Sequence, residues 1–146
     1  MATPTNTSYL EDFILPTEAS SSSPTIFKIG VLDTLLRVYI DDAHSKVERL
    51  ADMLDGAPII RQHMTDAELH HKYLDMVRFG LRGWTNFKDS NGEDVQFETA
   101  MADVPRVGKR LAVTDACISK LDILDVMMIG LRIRDLNTVS REQRKN

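Results

Sequence analysis

Apolar residues recur at three- and four-residue steps through three stretches of the chain, and each stretch predicts a helix with one buried face. In the first, over 34–54, Leu35, Leu36, Tyr39, Ile40, Val47, Leu50, Ala51 and Leu54 share a face. On the opposite face Asp41, Asp42, Glu48 and Asp52 outnumber Lys46 and Arg49. Asp33 is placed to cap this helix, and Gly56 with Pro58 to close it. The second helix opens on Thr65-Asp66-Ala67-Glu68. This is a capping box, in which the hydroxyl and the carboxylate each meet a backbone N–H of the first turn. Leu69, Tyr73, Met76, Val77, Gly80 and Leu81 make its buried stripe, and Gly83 is its expected end. The last and longest helix starts at Val113 or Thr114. Ala116, Cys117, Leu121, Leu124, Asp125, Met128, Leu131 and Ile133 hold helical spacing as far as Leu136-Asn137, where Asn suits the left-handed closing position.

Elsewhere the period changes. Over 25–31, Phe27, Ile29 and Val31 alternate with Lys28 and Gly30, which predicts a short strand. Two stretches, 84–88 and 95–97, flank a polar segment containing Asn91-Gly92, a pair that tolerates positive φ and signals a hairpin over 84–97. The first 24 residues hold a run of four serines, three prolines and three acids without a base. Such a stretch offers too little apolar surface to offset its ordering entropy and predicts a flexible arm. Within it Leu10, Phe13 and Ile14 stand at helical spacing, as a docking segment that orders on a partner would require. At the other end, 140–143 repeats a capping signal ahead of a basic tail. The expected fold is therefore mainly α. Three main helices form a single domain over 25–146, with a β-hairpin insertion, a short N-terminal strand and a disordered N-terminal arm.

Composition narrows the function classes. The 146 residues are 42% hydrophobic and 27% charged, which suits one globular domain. A net charge of −4 argues against a generally basic nucleic-acid binder, although Arg106, Lys109 and Arg110 gather around Gly108. With the acidic arm in the same chain, a solvated face or internal charge complementarity is the simpler reading of that cluster. One cysteine excludes a disulfide scaffold and a cysteine-rich zinc site, and no leader or membrane span is legible, so a soluble intracellular protein is expected. His63, His70 and His71 fall within nine positions, yet adjacent histidines point about 100° apart on a helix and no second ligand pair joins them. Cys117 sits on an apolar stripe as a buried thiol would. Gly80-Leu81-Arg82-Gly83 lacks the preceding strand and following Lys-Ser/Thr of a phosphate loop. No catalytic residue, metal or cofactor is expected, and the chain does not read as an enzyme. Seven methionines suit adaptable contact surfaces, and of the adjacent Met127 and Met128 one must leave the core stripe.

Three segments together carry a resemblance. Gly80-Leu81-Arg82-Gly83-Trp84 is followed by Asp89, Gly92 and Val95-Gln96-Phe97; Pro24-Thr25-Ile26-Phe27-Lys28-Ile29-Gly30 precedes the first helix; and the chain closes on Leu136-Asn137, Ser140, Glu142 and Lys145-Asn146. In that order they resemble the tail assembly chaperones of long-tailed bacteriophages. The resemblance implies a non-enzymatic protein in the cytoplasm of the infected bacterial host. Such a protein binds the tape measure protein, keeps it soluble while tail tube subunits polymerise around it, and leaves before maturation. It also leaves open the tail tube protein as a second partner, self-association, and a longer frameshifted form. Leu10, Phe13, Ile14, Trp84, Phe87, Phe97, Met127 and Met128 are the expected partner-binding residues, with no membrane or nucleic acid expected. A structural virion protein of the head–tail connector or tail completion type is the alternative of similar size and interaction chemistry.

Overall fold

The structure is a computed structural model that describes residues 6–42 and 70–143, the last six through their backbone alone. Strands β1 (Leu10–Phe13), β2 (Ile26–Gly30) and β3 (Leu81–Thr85) form an antiparallel sheet in that order. A second sheet is the hairpin of β4 (Thr99–Val104) and β5 (Gly108–Val113). Helical residues span 34–42 (α1), 70–80 (α2), Asp115–Ile118 (α3) and Ile123–Gln143 (α4). Five antiparallel strands in two sheets, beside four helices among the described residues, make the fold mixed α and β, not mainly α.

The N-terminal segment is the first correction. Residues 10–13 are a strand, paired with β2 from Leu10↔Gly30 to Phe13↔Phe27. Leu15 is buried, and a 3-10 turn at Pro16–Glu18 follows. Polar composition concealed this because a neighbouring strand supplies both the backbone partners and the apolar surface. Leu10, Phe13 and Ile14 accordingly lie in or just after a strand, where period two applies, and not on one helical face. Glu11 turns toward the helical layer and pairs with Arg132 of α4 through two hydrogen bonds of 2.6 and 2.7 Å.

Strand β2 is the centre of the core. Phe27 and Ile29 are 1% and 0% exposed and face α4, whose stripe of Val126, Ile129, Ile133 and Leu136 is buried at three- and four-residue steps. Helix α2 adds Tyr73, Met76, Val77 and Phe79. Glycines set the closeness of α2 and α4. A Cβ at Gly80 would stand 2.8 Å from Ile133 Cγ2, and one at Gly130 would stand 2.7 Å from Tyr73 Cβ. The chain therefore leaves α2 at Gly80 and pairs at once, so Leu81 belongs to β3 and the expected end at Gly83 falls inside that strand.

The expected last helix is two helices. β5 runs to Val113, the Thr114 hydroxyl accepts the Cys117 N–H at 3.3 Å, and α3 stops at Ile118. After the break α4 starts in a new phase, so Leu124 is 67% and Met128 37% exposed where the continuous spacing had placed them inward. Asn137 does not close the helix. α4 continues past it, and its buried side chain accepts the Leu32 N–H at 3.0 Å and donates to Ile133 O at 2.7 Å. The capping box at 65–68, the far half of the first expected helix, and the side chains of the basic tail lie outside the described residues.

Candidate docking groove

Asp33 ends the extended segment after β2 and accepts the Leu36 N–H at 3.1 Å, which starts α1 as an N-cap. Its other oxygen accepts from Arg110 Nε of β5 at 2.8 Å. This pair ties the first turn of α1 to the hairpin. Burial pushes the Asp33 carboxyl up, but the Arg110 hydrogen bond, the Leu36 N–H and the Arg110 charge outweigh it and leave the group below its ordinary value. Arg82 of β3 lies over Gly30, where a Cβ would stand 3.1 Å from its Cζ. It donates from Nη2 to Val31 O at 3.0 Å and from Nε to Phe79 O at 3.3 Å. Burial draws its guanidinium below the usual value, against the charge of Asp33.

Between these anchors lies an open groove of about 880 Å3. Its floor is core: Leu36, Phe79, Leu81 and Val113 are buried. Its walls are Leu35 of α1 on one side and Met101 and Leu111, directly opposed across the hairpin, on the other. These three are 51%, 60% and 63% exposed. Lys109, Arg110 and Arg82 also line it, and among the described lining residues Asp33 is the only carboxylate. The hairpin holds its shape through a tight turn with Arg106 at φ 65° and Gly108 at φ 101°, and through Thr114 N–H donating to Glu98 O at 3.1 Å.

The expected binding residues fall in several places. Phe97 lines this groove. Trp84, Phe87 and Phe97 line a smaller cavity of about 390 Å3. There Trp84 stacks edge-on with Phe87 and Phe97 at 4.8 and 4.9 Å between ring centroids, and its Nε1 donates to Val95 O at 2.7 Å. With Phe27 these rings clamp the 86–98 loop to β3, and the Asn91-Gly92 turn is closed by the Lys88–Asp94 bridge. Leu10 and Ile14 are exposed near β1, while Phe13 and Met127 pack against the core and Met128 is exposed on α4. Leu10 alternates with Glu11 and so faces away from α4. Of the eight, Trp84, Phe87 and Phe97 are brought together by direct ring contacts.

Residues 99–113, which build one wall, show no periodic element in the sequence beyond their basic cluster. Arg110 of that cluster is paired internally with Asp33, whereas no ion pair to Lys109 occurs among the described residues. Cys117 is buried, with its Sγ 3.3 Å from both the Glu98 N–H that it accepts and the Gln96 carbonyl to which it donates. His70 and His71 are exposed. Among the described residues no group of three or more His, Cys, Asp or Glu side chains is arranged to hold a metal ion, and no helix is long and apolar enough to cross a membrane. The chain matches no known protein-family profile, no curated protein and no solved structure.

Proposed function

We propose that this protein is a non-enzymatic tail assembly chaperone of a long-tailed bacteriophage. In the infected cell it holds the tape measure protein soluble while tail tube subunits assemble around it. The observation that carries the reading is the groove beside α1 and the hairpin, where three large apolar side chains stay in water on a braced frame. Apolar surface of this kind gains about 25 cal/mol for each Å2 a partner covers. Because Asp33–Arg110 and the core floor already fix the walls, docking orders little of the chaperone itself. The order of the Gly-Leu-Arg-Gly-Trp, Asn-Gly and Val-Gln-Phe segments supplies the phage context.

Co-expression with the tape measure protein encoded nearby tests this. The expected result is a soluble tape measure that co-purifies with the tagged chain, and a chain missing from mature particles. Insoluble tape measure, together with a fixed copy number of this chain in purified virions, would overturn the proposal in favour of a head–tail connector or tail completion subunit.

A further inference from the structure

The charge of the groove opposes that of the molecule. The whole chain carries −4, yet the described residues lining the groove set Arg82, Lys109 and Arg110 against Asp33, and with Asp103 directly opposite Lys109 across the hairpin this still leaves a net positive charge over an apolar floor. Asp33 is already engaged by Arg110, and Arg82 is oriented by two backbone carbonyls, so these groups are held in place before anything binds. Lys109 projects from β5 on the same strand face as Leu111, two residues away, so an ammonium and an apolar side chain are presented together. We infer that the groove takes an acidic segment of a partner protein, one that alternates carboxylates with large apolar side chains, and that Lys109 and Leu111 select it. The inference rests on reading the groove as a protein-docking site and adds the chemistry of what docks there. Apolar side chains of the partner cover Leu35, Met101 and Leu111 while its carboxylates meet Lys109 and Arg82. Charge complementarity of this kind sets register and excludes wrong partners.

The test uses two fluorescein-labelled synthetic peptides of equal length and identical leucine positions, with Glu in one and Lys in the other at every polar position, and reads anisotropy against the full chain. Long-range attraction to a chain of charge −4 favours the Lys peptide, so a preference for the Glu peptide that falls in Lys109→Gln comes from the groove and not from the basic tail. The expected result is binding of the Glu peptide about tenfold or more tighter than the Lys peptide. That binding should weaken several-fold in Lys109→Gln, about tenfold in Leu111→Asp, and with added salt. Both substitutions are at exposed positions, and thermal melts of each variant confirm that the fold persists. Equal or preferential binding of the Lys peptide, still lost in Leu111→Asp, would overturn the acidic partner while leaving the groove as a docking site. Binding of neither peptide, or binding indifferent to both substitutions, would overturn the groove itself.

Discussion

Asn137 is the buried polar side chain whose removal gives the sharpest test of how the layers are joined. It is 3% exposed, and the Leu32 whose N–H it accepts is 2% exposed, so water cannot replace it without opening the core. In Asn137→Ala the Leu32 N–H loses its partner at a cost of about 1–3 kcal/mol. Ile133 O loses only a supplementary donor, because a helical carbonyl four residues back is served by the backbone. Alanine returns up to about 0.7 kcal/mol in helix propensity. The net expectation is a loss of about 1–2 kcal/mol, or about 3–7 °C in melting temperature for a chain of this size. Asn137→Asp separates geometry from charge. One carboxylate oxygen can accept from Leu32, but ionisation then places the other against Ile133 O in a buried site. Burial raises the folded-state pKa of such an aspartate. Its deficit relative to the parent is therefore smallest below about pH 4 and grows as pH rises through the folded pKa. Urea titrations of both variants at pH 4 and 7 measure this. An alanine variant within about 0.5 kcal/mol of the parent, or an Asp variant with a pH-independent deficit, would show that Asn137 does not join the Leu32 backbone to α4.

Three further outcomes are expected. Gly130→Ala should destabilise by about 1–3 kcal/mol in chemical denaturation even though alanine favours helices, because its Cβ would lie 2.7 Å from Tyr73 Cβ and 3.1 Å from the Tyr73 backbone. Leu15→Ala should cost about 2–5 kcal/mol in the same assay, whereas a residue in a disordered arm would cost nothing. Asp125 is raised by burial, then by the charges of Asp122 and Glu18. A raised carboxyl contributes stability below its unfolded pKa and loses it as pH rises, so Asp125→Asn should raise the melting temperature at pH 7 and leave it unchanged near pH 3.

Much of the helical and strand pattern was legible where one side of an element meets the core. Phe27 and Ile29 alternate because only one face of β2 is buried, and Tyr73, Met76 and Val77 mark α2 for the same reason. The hairpin wall was illegible on the same physics. Met101 and Leu111 face water, and only Val104, Ala112 and Val113 are buried there, so 99–113 never shows an alternating apolar period. Strand β1 was hidden because its order comes from β2 and Arg132, far along the chain. The long C-terminal pattern misled because Cys117 of α3 and the stripe of α4 both face the core, and the break at 119–122 shifts the phase between them. Of the residues lining the groove, Phe97 stands out in the sequence as an aromatic at the end of a short apolar run, whereas Leu35 reads as part of the core face of its helix and Lys109 as part of a basic cluster without a partner surface. A groove joins residues distant in sequence, and its signal is exposure, which composition does not record.

The most direct measurement compares the soluble, co-purifying fraction of tape measure protein when it is co-expressed with the parent chain and with the Met101→Asp/Leu111→Asp variant. Both side chains are exposed, so the variant keeps its fold, as a thermal melt of the purified protein can verify. The parent is expected to hold the tape measure in solution, and the folded variant to lose it to the pellet. Equal recovery with the two chains would show that the groove is not where the partner binds.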